Sequence, residues 1–147
     1  MVEFSAIGQV LENNGGYINA EPGCFIQVNG SLLNESGGFI DVDGTTNSHA
    51  ELFVSENITN EGALIGNGNI RLLGNWYNNF AFDSNFGTVF FEGGNQLISG
   101  TSESHFFNIT LDGSGLKTQE INAFSEGVLD LKPVSYTHLT LPTKRIV

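Results

Sequence analysis

A single cysteine, Cys24, is all this chain of 147 residues offers, so no internal disulfide is available and the fold must rest on its core. Beside Phe25, that cysteine reads as a small buried residue. Lysine and arginine are scarce as well, 5 residues against 16 aspartates and glutamates. The resulting formal charge of −11 argues against nucleic acid and anionic membrane as partners, since neither presents a positive surface to meet it. No apolar run approaches the length that crosses a bilayer, so membrane insertion is not expected. With 19 glycines and 3 prolines at 39% hydrophobic residues, the chain is too glycine-rich for a helical protein and too apolar for a disordered one.

What the chain has instead is a repeated phrase, a glycine followed by a short apolar run. It reads GGYINA from Gly15, GGFIDV from Gly37, GALIGN from Gly62 and GTVFFE from Gly87. Two further matches deepen it. Leu11, Gly15, Gly16, Tyr17, Ile18, Asn19 and Ala20 recur at an offset of 22, and Val28, Leu32, Asn34 and Glu35 recur as Val54, Ile58, Asn60 and Glu61 at an offset of 26. A fixed period of this size marks units that bury their apolar face only by stacking on neighbours. Each unit holds about three short extended runs, such as YINA, CFIQV and SLLN, separated by Glu-Pro-Gly and Asn-Gly turn signals.

The fold class that follows is all-β: a parallel β-helix, or β-solenoid, with about three strands per rung of 20–26 residues. The alternative, a β-sandwich, also uses short strands between turns, but it gives no reason for internal homology. Stacking predicts an inward ladder of Tyr17, Phe39, Leu64 and Val89, with Ile18, Ile40, Ile65 and Phe90 alongside. Asn34 and Asn60 fall at equivalent corners, where stacked amides can satisfy one another along the axis. Residues 1–14 read as the end of a preceding rung, 43–50 as a surface loop, and 75–86 as a longer aromatic excursion.

The segment 133–143, PVSYTHLTLPT, resembles the conceptual translation of a transposase sequencing adapter. That resemblance implies that 133–147 is an undocked, non-native tail, that the source is a draft or metagenomic assembly, and that 1–132 is a solenoid fragment of about five rungs. The formal charge of 1–132 is then 3 − 16 = −13, because Lys144 and Arg145 fall in the tail. No signal peptide is read in MVEFSAIGQVLENN, but in an incomplete product its absence carries no information.

From Gly87 the text becomes GTVFFEGGNQLISGTSESHFFNITLDG. Gly87, Val89, Phe91, Gly94, Gln96, Ile98, Gly100, Phe107, Asn108, Ile109, Thr110 and Leu111 carry a resemblance to the repetitive, secreted, adhesin-like surface proteins of Bacteroidota. The resemblance implies an extracellular or cell-surface β-solenoid, exported through a C-terminal sorting domain and contacting glycans, cells or matrix.

Candidate sites are few. Asp41, Asp43 and Asn47 offer hard oxygen ligands for calcium, although the spacing departs from an EF-hand and the simpler reading is an Asp-Gly turn. Trp76 and Tyr77 are candidates for an aromatic ligand platform, the simpler reading being a hydrophobic cap. A catalytic β-helix of the polysaccharide lyase or glycoside hydrolase type, the alternative function, needs carboxylates and a cation on one face. Arg71, Lys117 and Lys132 are far apart in sequence, and Asp41, Asp43 and Arg71 are not expected to converge. No catalytic residue is assigned and an enzyme is not expected. His49 and His105 lack partners at metal-ligand spacing. Asn34, Asn57 and Asn108 lie in Asn-x-Ser/Thr sequons. An open rung end predicts end-to-end self-association.

Overall fold

Alternation of apolar and polar residues in three- to five-residue runs, broken by tight turns, builds strands that bury one face each. The computed structural model describes residues 2–132 and 139–140, with side chains from 8 to 132. It is an all-β parallel solenoid with three strands per rung. The first rung comprises β1 (Val2–Asn13) and β2 (Tyr17–Ala20), and the second β3 (Phe25–Asn34) and β4 (Phe39–Val42). The third holds β5 (Glu51–Val54), β6 (Ile58–Asn60) and β7 (Ala63–Ile65), and the fourth β8 (Asn69–Leu72), β9 (Trp76–Asn78) and β10 (Ala81–Asp83). The fifth holds β11 (Thr88–Phe91), β12 (Gln96–Gly100) and β13 (Ser104–Phe106), and the sixth β14 (Asn108–Leu111), β15 (Lys117–Gln119) and β16 (Ala123–Ser125). Beyond them lie β17 (Leu129–Leu131) and β18 (Leu139–Thr140).

Three faces result. Face one is the first half of β1 and β3, then β5, β8, β11, β14 and β17; face two is the second half of β1 and β3, then β6, β9, β12, β15 and β18. Face three is the six-stranded sheet β2-β4-β7-β10-β13-β16. The two sequence offsets are visible as register: Tyr17 pairs with Phe39 at 22, and Val28 with Val54 and Leu32 with Ile58 at 26. The rung then shortens. On face two the steps are 58 − 32 = 26, 76 − 58 = 18, 98 − 76 = 22 and 119 − 98 = 21. Shorter rungs are why 2–132 holds about six turns where five were expected. Of the tail, Leu139–Thr140 run parallel to Lys117–Thr118; the rest of 133–147 lies outside the described residues, so the expectation of an undocked tail falls mainly there.

The predicted ladders need correction by one residue. Phe39 pairs with Ala63, not Leu64, and the inward ladder of face three is Ile18, Ile40, Leu64 and Phe82. Tyr17 is 64% exposed, and Val89 belongs to face one beside Ile70 and Ile109. The reason lies in the glycine pairs: Gly62 stacks on Gly38, the second glycine of its phrase, and a one-residue slip moves every side chain to the opposite face. A Cβ on Gly62 would sit 2.2 Å from the Gly38 carbonyl oxygen, so only glycine lets these rungs approach at that corner. Gly87 stacks instead on Gly68, at the corner entering face one, so GTVFFE is not a fourth copy of the phrase. The apolar-glycine phrase marks a corner without saying which.

Asparagines fill the corner between faces two and three. Asn13 Nδ2 donates to Asn34 Oδ1 (2.8 Å), Asn34 Nδ2 to Asn60 Oδ1 (2.9 Å), and Asn60 Nδ2 to Asn78 Oδ1 (2.9 Å). All four are buried, which confirms the stacked amides and leaves the Asn34 sequon inside the fold. A second set links rungs by side chain to backbone. Asn57 Oδ1 accepts from the Asn75 N–H, Asn75 Oδ1 from the Leu97 N–H, and Asn95 Oδ1 from the Leu116 N–H. Each satisfies a backbone group that a bend would otherwise orphan.

The core runs along the axis. It is aliphatic in the early rungs, with Val28, Leu32, Ile40, Leu52, Val54, Ile58 and Leu64, and aromatic further on. Trp76, Phe82, Phe91 and Phe106 meet from all three faces, with Trp76 ring centroids 4.6 Å from Phe82 and 5.4 Å from Phe106. Cys24 lies in the turn closed by its own N–H to the Glu21 carbonyl, and is exposed, not buried as expected.

Candidate functional site

The predicted aromatic platform is taken apart by the fold. Trp76 is fully enclosed, its Nε1–H donating to Ser104 Oγ (3.0 Å), so it offers no surface to a ligand. Tyr77, next along β9, faces outward and accepts from Asn75 Nδ2 (3.0 Å). Residues 75–86 are no excursion; they hold the regular strands β9 and β10 of the fourth rung and the short corner turn that follows.

Asp41 and Asp43 do come close. Burial, and then the charge of Asp43, raise the Asp41 pKa above its ordinary 3.8. Asp43 Oδ1 accepts from the Gly44 N–H (2.7 Å), the Asp-Gly turn of the simpler reading, while Asn47 lies exposed near the loop tip. Among the described residues no three His, Cys, Asp or Glu side chains gather around one point. Two carboxylates would supply only part of the six to eight oxygens calcium takes, the rest coming from carbonyls or water. A raised carboxyl pKa means that the folded chain protonates first as pH falls. Asp41 therefore costs stability above its raised pKa, and the cost is relieved as pH drops through that value toward 3.8. Asp41→Asn is expected to raise the urea midpoint at neutral pH and to lose this advantage in acid. A wild-type gain with about 1 mM calcium that the variant lacks would restore the pair as a cation site.

The cations are engaged elsewhere. Arg71, on face one, pairs with Glu51 (3.2 Å) and Glu92 and lies 4.0 Å over the Phe90 ring. It is not among the partners of Asp41 or Asp43. Lys132 pairs with Asp130 (2.5 Å). Lys117 is 3% exposed, its Nζ donating to the Gly93 and Gly94 carbonyls (2.6 and 2.8 Å) and to Gln96 Oε1 (2.7 Å). Burial lowers its pKa, with Asp112 opposing. The unfolded chain then keeps this proton to higher pH than the folded one, so the lysine's contribution to stability rises with pH from the lowered pKa to 10.5. Lys117→Met removes the ammonium donor from the Gly93 and Gly94 carbonyls and leaves Gln96 Oε1 with only the Gly93 N–H, and is expected to cost about 1–3 kcal/mol at neutral pH. The gap to wild type should widen as pH rises through that window; a gap that narrows would refute the assignment.

A cleft of about 410 Å³ opens where face three turns into face one, lined by Gly44, Thr45, Thr46, His49, Asn67 and Phe86. The turns at this corner are short in every other rung. They use residues 21–24, 66–68, 84–87, 107 and 126–128, whereas the step from the second rung to the third inserts 43–50. That insertion is clipped shut by an antiparallel bridge between Gly44 and His49 and by Thr45 N–H to the Ser48 carbonyl (2.7 Å). The loop expectation for 43–50 holds. His49, Asn67 and Phe86 belong to three successive rungs, linked by His49 Nδ1 to the Asn67 carbonyl (3.1 Å) and by Phe86 N–H to Asn67 Oδ1 (3.2 Å). Asn85, at φ 47°, turns Phe86 outward to 71% exposure, and Phe107 braces the ring edge-on at 5.1 Å. The sequence signals for this site were the inserted loop and the Asn-Phe pair before Gly87, in separate rungs with nothing to join them.

Comparison with protein-family models, curated proteins and solved structures gives no match.

Proposed function

We propose that the chain is a segment of an extracellular surface protein, a β-solenoid stalk that presents one corner to glycans, cells or matrix. The observation that carries this reading is the single enlarged turn, 43–50, in a corner series of minimal turns, forming a cleft beside an outward-turned aromatic. Insertions in a stacked repeat collect where binding is done, because the core cannot take them. The acidic charge keeps such a stalk soluble and off polyanions.

The other reading, a scaffold piece of a polysaccharide-acting β-helix, has one observation in its favour: Glu51, Arg71 and Glu92 converge on face one. Both carboxylates are held by the one guanidinium, which leaves no free cation there for an acidic sugar. The test is retention of chain-coated beads on glycan, matrix-protein and cell surfaces, run beside a polysaccharide depolymerisation assay and sedimentation for end-to-end association. Retention without product release is expected. Release of new chain ends, or retention on no surface, overturns the stalk reading.

A further inference from the structure

We propose that the corner cleft binds a neutral hexose unit of a glycan, stacked on Phe86 and hydrogen-bonded by Asn67, His49 and Thr46. The inference rests on the stalk reading and names what its presented corner would take. Three observations point to this chemistry. First, Phe86 is 71% exposed yet fixed in place by the left-handed Asn85, by its own N–H to Asn67 and by the Phe107 ring at 5.1 Å. A flat apolar face kept in water without being folded away matches the C–H face of a pyranose, and its fixed placement lowers the ordering cost of binding.

Second, the polar groups around it are left with unused capacity. Asn67 Oδ1 is occupied by the Phe86 N–H, while its Nδ2 has no protein partner among the described residues. His49 Nδ1 faces the Asn67 carbonyl, which only accepts, so Nδ1 carries the proton and Nε2 of the neutral ring is an acceptor. Thr46 Oγ1 has no protein partner either and can donate or accept. Donor, acceptor and hydroxyl beside one ring form the set that vicinal hydroxyls need.

Third, charge decides between sugars. No carboxylate, lysine or arginine lines the cleft, so nothing there pairs with a charged sugar, and the chain's −11 repels anionic ones. Strands stack about 4.8 Å apart, so three rungs span about 10 Å, enough for a saccharide lying along the axis. A cleft of this volume falls in the range of small-molecule sites.

The test is NMR titration of the full chain with methyl glucoside, methyl galactoside, methyl mannoside and lactose, with galacturonate, glucosamine and an uncharged tetrapeptide as controls. Saturation transfer to sugar ring protons and shifts confined to Phe86, Asn67 and His49 are expected, with a Kd on the order of 1 mM. Phe86→Ala should weaken binding about tenfold or more, and Phe86→Trp should retain or strengthen it. Asn67→Asp keeps the acceptor for the Phe86 N–H but removes the Nδ2 donor, and should also weaken binding about tenfold. Circular dichroism on each variant separates lost binding from lost fold. The inference is overturned if no neutral sugar binds, if binding survives Phe86→Ala, or if a charged sugar or the peptide binds better. Bead retention distinguishes the two readings: retention without sugar binding sinks the saccharide inference and leaves the stalk, whereas sugar binding without retention on any surface sinks the stalk.

Discussion

Trp76→Ala is expected to lower unfolding free energy by about 3–5 kcal/mol, the range for emptying a large aromatic site. Trp76 is 0% exposed and touches Phe82, Phe91 and Phe106, so its removal empties the face-two side of the cluster and leaves a void against rings from faces one and three. The rungs are covalently continuous and hydrogen-bonded above and below, so the walls cannot collapse inward far enough to fill it. A domain of this size loses about 2–4 °C per kcal/mol, which puts the fall in melting temperature at about 10 °C. Circular dichroism is the readout, since Trp76 is the only tryptophan. Because a solenoid's stability is a sum over neighbours, hydrogen exchange should show the loss centred on the fourth and fifth rungs, with strands before Ile58 protected longer. A cost under about 1 kcal/mol would contradict the enclosure described for this residue.

Asn60→Ala is expected to cost about 2–4 kcal/mol, although it removes a small and polar side chain. Asn60 accepts from Asn34 and donates to both Asn78 Oδ1 and the Ala81 carbonyl (2.8 Å), all inside the corner. Alanine leaves Asn78 Oδ1 buried and unpaired and strips the half-buried Ala81 carbonyl of its donor, and a buried orphan costs about 1–3 kcal/mol. Asn60→Asp should be worse, as it sets a carboxylate against Asn78 Oδ1 with no donor between them. The chain of amides also predicts coupling. Asn34→Ala and Asn60→Ala together should cost less than their sum, by about 0.5 kcal/mol or more, because the second change removes a group the first has already orphaned. Strict additivity from urea midpoints would mean that the ladder is three separate pairs.

The architecture was legible because a solenoid writes its tertiary contacts into sequence offsets. Where one rung covers the next, like stands on like, and the 22- and 26-residue matches are the contacts of β2 with β4 and of β3 with β5 and β6. The Asn34–Asn60 stack and the surface loop at 43–50 came from the same logic. Facing was harder to read. The repeated glycine comes singly at Gly62 and doubled at Gly15 and Gly37, and aligning the first of each pair put Tyr17 inside when Ile18 belongs there. Backbone approach at the corner, where Gly62 meets Gly38, decides that register.

The repeat, the three-strand rung and the acidic, cation-poor surface thus belong to the amino-acid text, since local alternation and fixed offsets need no knowledge of the third dimension. Which aromatic is core and which is surface does not. Trp76 is sealed because β9 points it at Phe82 and Phe106, and Phe86 stands in solvent because Asn85 is left-handed. The cleft could not be read either, because rung length changes along the chain. His49, Asn67 and Phe86 lie 18 and 19 residues apart, well short of the repeat visible at the N-terminal end, and they meet only once the short rungs have stacked.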